Sequence, residues 1–161
     1  MHFAHFLEVD ERANVHAAHG TVAIIAGHGV VTANNAFETF DELRELCRRD
    51  RGVFDVSHMG QFHVEGPKQA ELLQCLLSND LARLSDGEAQ YTLLTNDNGG
   101  IVDDLIAYRL GPFHTLLVVN AGNREAAYAW LKEREIQGSE VRDASDEYAL
   151  LAVQGPTAIA A

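Results

Sequence analysis

Cysteine is scarce. Cys47 and Cys75 are the only two in 161 residues, and two thiols in helix-like segments cannot build the disulfide framework of a small secreted domain. They read as ordinary packed or exposed thiols in a reducing compartment. Long apolar runs are lacking too: Val22 to Ala26, Leu116 to Val119 and Ala149 to Val153 fall far below the roughly 18 to 20 residues that cross a bilayer. No basic stretch leads into an apolar one at the N-terminus, so no membrane partner is expected and the cytoplasm is the expected compartment. Positive charge is short as well, with 12 Lys and Arg against 24 Asp and Glu and a formal net charge of -12. Such a balance repels a phosphate backbone, and the single basic cluster, Arg48, Arg49 and Arg51, is too small to reverse it; nucleic acid is not an expected partner.

Several chemical signatures are missing. No Gly-x-Gly-x-x-Gly follows a strand, no phosphate-cradling loop carries Lys and Ser or Thr, and no Gly-x-Ser-x-Gly elbow occurs, which removes support for nucleotide-cofactor binding and for serine hydrolysis. Five of the eight histidines lie within the first 28 residues. Only His16 and His19 have a helical spacing, Gly20 follows at once, and no nearby acids or cysteines complete a tetrahedral set, so no metal is expected.

What is present is enough apolar content, 47%, for one compact domain. Residues 1–36 show no sustained period and read as a poorly ordered segment apart from a β-like run, Thr21 to Ile25. The second region, residues 37–161, begins with a helix over 37–49, where Phe37, Phe40, Leu43, Leu46 and Cys47 recur at spacings of three and four. From Gly52, alternation through Val56, His58, Gly60, Phe62 and Val64 predicts one long strand ending at Gly66-Pro67. Helix 68–77 follows, with Pro67 at its first position and Leu72, Leu73, Leu76 and Leu77 as its stripe. Strands 90–95 and 101–110 flank Asn96-Asp-Asn-Gly-Gly100, whose Asn and Gly tolerate the positive φ of a tight hairpin. A strand over 115–119, a helix over 124–135, a short strand and a last strand over 148–154 complete the order. That order predicts an α+β domain, an antiparallel sheet with helices on one face.

Asp103 and Asp104 are adjacent in a strand, so their side chains point to opposite faces. Apolar neighbours on both sides put one of them in low-dielectric surroundings, where a carboxylate needs partners to stay charged. Spacing alone leaves two readings open, a carboxylate accepting backbone N–H groups of the turn and a catalytic one. Ser57 and His58, read as strand neighbours, cannot form a nucleophile–base pair. Met59 and Tyr91 read from alternation as core residues.

Six motifs then occur in order: Gly52-Val-Phe-Asp-Val-Ser-His-Met-Gly60, Ser78-Asn-Asp-Leu81, Tyr91-Thr-Leu-Leu94, Gly99-Gly-Ile-Val-Asp-Asp-Leu-Ile106, Val118-Val-Asn-Ala121 and Ala152-Val-Gln-Gly-Pro156. With them residues 52–156 resemble the N-terminal part of the folate-binding region of the glycine cleavage system T protein, the aminomethyltransferase family; residues 1–36 carry none of these motifs. The resemblance implies transfer of the carbon of an aminomethyl group, carried on the lipoyl arm of the H protein, to tetrahydrofolate with release of ammonia. Tetrahydrofolate is then a substrate, H protein the partner, and no metal is involved. It also implies that Asp103 is the catalytic carboxylate and that Met59, Tyr91, Asp103 and Asn120 line the folate site. The chain would hold an incomplete half of that region, with the rest of the folate pocket and a C-terminal barrel lying outside it. Two other readings stay open: a related module of the kind found in dimethylglycine and sarcosine dehydrogenases, and a non-catalytic folate-binding or interaction module.

Overall fold

The computed structural model describes residues 22–26, 29–32, 48–49 and 52–156. The chain forms two compact units, one of residues 58–147 and one of residues 1–57 with 148–161. The expected boundary at residue 36 and most of the expected helix over 37–49 lie outside the described residues; Arg48 and Arg49 are helical.

In the smaller unit four antiparallel strands, β1 (Val22–Ala26), β2 (Gly29–Thr32), β3 (Gly52–Asp55) and β9 (Leu151–Gln154), stand in the order β2-β1-β3-β9. The β-like run expected near residue 21 is therefore a strand, and it pairs with β3. Gly52 faces Gln154 and Asp55 faces Leu151, so the first and last of the six motifs are neighbours.

The long strand expected from Gly52 to Glu65 is broken. Asp55 Oδ1 accepts the Ser57 N–H at 3.0 Å, a side-chain turn that competes with the ladder. The Ser57 hydroxyl in turn accepts the Leu150 N–H at 3.0 Å. Ser57, His58 and Met59 thus lie in a turn, and the alternation read through them does not describe one strand. One sheet was expected and two are present, because the chain leaves the first sheet at this turn.

The larger unit holds β4 (Gly60–Glu65), α1 (Gln69–Leu76), β5 (Ala89–Thr95), β6 (Ile101–Gly111), β7 (His114–Val119), α2 (Arg124–Glu133) and β8 (Glu140–Asp143). Its five strands are antiparallel in the order β5-β6-β7-β4-β8. Both helices cover one face: Leu72, Leu73 and Leu76 of α1 and Ala127 and Leu131 of α2 form one core with Phe62, Val64, Leu94, Leu105, Ala107, Leu117 and Val119 of the sheet. This is the α+β arrangement that the order of elements predicted. Helix α1 begins at Gln69, so Pro67 precedes it.

The β5–β6 turn is held by Asn96, whose Oδ1 accepts the N–H groups of Asn98 at 3.0 Å and Gly100 at 2.9 Å. Gly99 supplies a φ of +76° that a side chain would strain. The sheet edges are covered. Ser78 donates its N–H to the Leu93 carbonyl at 3.0 Å alongside β5, while Glu135 accepts the Val141 N–H at 2.8 Å and Lys132 donates to the Val141 carbonyl at 3.2 Å alongside β8.

Candidate active site

The β5–β6 register decides which aspartate is inside. Asp103 faces Leu94, and with Leu105 and Ala107 it lies on the helix-covered side. It is 1% exposed. Asp104 faces Leu93 and points to the other side of the sheet, where it is exposed.

A buried carboxylate is tolerated only when donors surround it, and Asp103 has three. The Asn120 backbone N–H donates to Oδ2 at 2.9 Å, the Asn120 amide to Oδ1 at 3.0 Å, and the Asn123 amide to Oδ1 at 2.6 Å. Their position follows from the chain: β7 ends at Val119, and the 3₁₀ turn Ala121–Asn123 brings position 123 back over the same spot as position 120. Sequence reading did not single out Asn123. Its signal was the Asn-x-x-Asn spacing, which sets two amides on one side of such a turn.

Asn120 also joins the two aspartates. Its amide nitrogen lies 2.8 Å from the Asp104 carbonyl and 3.0 Å from Asp104 Oδ1 as well as reaching Asp103. Two amide hydrogens serve three acceptors, so one is shared. On the open face the Tyr91 hydroxyl donates to Asp104. Accepting that hydrogen bond, the Asp104 carboxylate is the main reason the phenol is held above its ordinary value, with burial and the negative charges of Asp104 and Asp103 adding to it.

Of the residues picked out by sequence, Asp103 and Asn120 therefore meet directly, and Tyr91 meets Asp104 instead of Asp103. Tyr91 is not a core residue, being 53% exposed. Met59 lies half-buried in the turn before Gly60. Gly60 pairs with Val119, so the register sets Met59 and Asn120 at the same end of the β4–β7 pair. Among the described residues no three His, Cys, Asp or Glu side chains converge as a metal site, and His2, His5, His16, His19 and His28 lie outside them.

Comparison with known proteins gives the site a context. The family described as GCVT N-terminal domain matches residues 11–161, which carries the likeness about forty residues ahead of the first motif. The aminomethyltransferase of Flavobacterium psychrophilum is 42% identical over 146 residues, covering 90% of this chain and 40% of that protein. That of Anoxybacillus flavithermus is 47% identical over 122 residues, covering 76% and 34%. Among solved structures, glycine cleavage system aminomethyltransferase T from Bartonella henselae superposes with a TM-score of 0.68 at 42% identity, over 74% of this chain and 33% of that one. The chain thus spans at most 40% of the length of these relatives.

Proposed function

The chain belongs to the GCVT N-terminal domain family, and from that premise we propose that it supplies the first part of the folate-binding region of an aminomethyltransferase of the glycine cleavage system. The reaction moves the carbon of an aminomethyl group, carried on lipoyl H protein, to tetrahydrofolate and releases ammonia. Residues beyond those present here would complete the folate pocket. Tetrahydrofolate and H protein are the partners in this reading, and the cytoplasm is the compartment.

The observation that carries it is the Asn120 bridge between two carboxylates of unequal exposure. As ammonia leaves the aminomethyl carbon, positive charge develops there, and carboxylates fixed in advance stabilise that charge without reorganising. Asp103, the catalytic residue that the family resemblance implies, is oriented by three N–H donors. It is too buried in this arrangement to touch a substrate, so its charge acts through the network. Asp104, exposed and bonded to Tyr91, is the carboxylate that a bound folate amine can reach, and its proton traffic would run along that side. Tyr91 and Met59 would line the folate.

Titration calorimetry of the chain with tetrahydrofolate separates a folate binder from a protein that does not bind folate. An assay with aminomethylated H protein, on the chain joined to the remaining length of a full-size relative, separates an enzyme from a binder. Absence of both folate binding and transfer in that joined protein would overturn the reading.

A further inference from the structure

On the helix-covered side of the five-stranded sheet, at the end away from Asp103, a cleft of about 330 Å³ opens between α1, the 3₁₀ turn Leu81–Arg83 and the β6–β7 pair. Arg109 stands six residues along β6 from Asp103, roughly 20 Å at strand rise. This is therefore a separate place on the molecule; of the six motifs only Leu81 reaches it, and the reaction above does not use it.

Its polar side is built from buried groups. Arg109 and Thr115 are cross-strand partners, and the Thr115 hydroxyl donates to Gln69 Oε1 at 2.8 Å. Thr115 and Gln69 are 2% and 3% exposed. With its oxygen occupied, the Gln69 amide presents its nitrogen to the cleft, and that nitrogen donates to no group among the described residues. That nitrogen is not sealed in the core but reaches the open cleft, so a ligand entering there can accept its hydrogen bond. Arg109 is held by one nitrogen only, its Nε donating to Asp86 Oδ1 at 2.8 Å. The backbone on either side is pinned as well, Arg109 N–H to the Glu88 carbonyl at 2.9 Å and Gly87 N–H to the Arg109 carbonyl at 2.7 Å. The two terminal guanidinium nitrogens are left as an oriented fork. Opposite them Ala70, Leu81 and Ala82 give an apolar wall.

We propose that this cleft binds a small monocarboxylate with a short apolar body, its carboxylate on the Arg109 fork and the Gln69 amide, its carbons against Ala70, Leu81 and Ala82. A planar fork matches a carboxylate in two parallel hydrogen bonds. The volume suits a ligand at the small end of the usual range. Charge decides against a phosphate: Asp86 is bonded to the same guanidinium, Glu71 stands on the rim paired with Lys68, and the chain carries a net charge of -12, so a dianion is penalised where a monoanion is tolerated.

The test is a titration of the isotopically labelled 161-residue chain with hexanoate, followed by nuclear magnetic resonance at the Arg109 Nε–H and the Gln69 side-chain amide. Hexanamide, hexylamine and inorganic phosphate serve as comparison probes. Saturable shifts at both groups with hexanoate, weaker binding of the other three, and a loss of about tenfold or more in Arg109→Gln are the expected results. Ala82→Trp fills the cleft from its exposed lip without altering a core side chain and should abolish binding even if Arg109→Gln fails to fold. Arg83→Gln, next to the cleft but not lining it, should bind within about twofold of the parent. No saturable shift with hexanoate, equal binding of hexanamide or hexylamine, tighter binding of phosphate, or unchanged binding in Ala82→Trp would each overturn the proposal. None of these outcomes bears on folate binding, so this site and the reaction proposed above stand or fall separately.

Discussion

Asn120 holds the Asp103 carboxylate by both oxygens, through its backbone N–H at 2.9 Å and its side-chain amide at 3.0 Å. The pair fixes the end of β7 to the first part of β6, and it leaves the carboxylate no freedom to turn. Removing the amide in Asn120→Ala leaves one backbone and one Asn123 donor to a buried charge, and a loss of about 1–3 kcal/mol is expected in urea unfolding. Asn120→Asp should cost more, since it adds a third carboxylate to the group. A loss for Asn120→Ala below about 0.5 kcal/mol, typical of an ordinary surface change, would show that the bridge does not stabilise the fold.

The unequal exposure of the two aspartates separates their roles. In a full-length aminomethyltransferase carrying residues 52–156 of this chain, Asp103→Asn should lower transfer roughly a hundredfold while folate binding stays within a few-fold, because the amide keeps the shape and loses the charge. Asp104→Asn should weaken folate binding as well as turnover, because that side chain faces solvent beside Tyr91. The same pattern of losses in both variants, with the circular dichroism intact, would mean that the pair acts as one unit.

A pH dependence is built into β4 and β7. His63 Nδ1 lies 2.6 Å from His114 Nε2, and Glu65 lies 3.7 Å from the same His114 nitrogen. Burial is the main cause that holds the His63 imidazole below its ordinary value; the charge of His114 and then Arg142 act in the same direction, and Glu65 and Glu147 oppose them. A folded-state value below the unfolded 6.5 means that the unfolded chain takes up the proton first. Stability should therefore fall as pH drops below about 6.5 and level off once the folded form is protonated too. His63→Gln should flatten this part of the profile. A midpoint of urea unfolding that rises as pH is lowered through this window would contradict the assignment.

Gly60 faces Val119 across the β4–β7 pair. A Cβ there would stand 2.5 Å from Val119 Cγ2 and 3.2 Å from Arg124 Cγ, and Val119 is fully buried. Gly60→Ala should therefore destabilise the larger unit by about 1–3 kcal/mol through overpacking. Gly60→Ala combined with Val119→Ala should recover part of that loss by making room. Thermal unfolding of the parent and the two variants would check this, and a Gly60→Ala protein as stable as the parent would refute it.

The sequence by itself determined the local features. Asn and Gly at positions 96 to 100 specify a tight hairpin, the leucine stripe specifies α1, and strand alternation requires Asp103 and Asp104 to face opposite ways. The order of motifs identified the family. Only the tertiary structure decided the rest. Alternation continues unchanged through Val56 to Met59, so nothing local reveals the break: it exists because Asp55 and Ser57 exchange ladder bonds for side-chain bonds, one of them to Leu150, some ninety residues away. Which aspartate lies inside depends on which face the helices cover, a property of packing and not of the strand. Tyr91 belongs to Asp104 because of the β5–β6 register, which pairs Tyr91 with Ile106 and so sets it on the face that Asp104 shares. The cleft at Arg109 has no sequence signature at all, since Gln69, Arg109 and Thr115 come from different elements and meet only when α1 docks on the sheet. Side-chain direction follows from local geometry, but a residue's partner is chosen by which elements the core brings together.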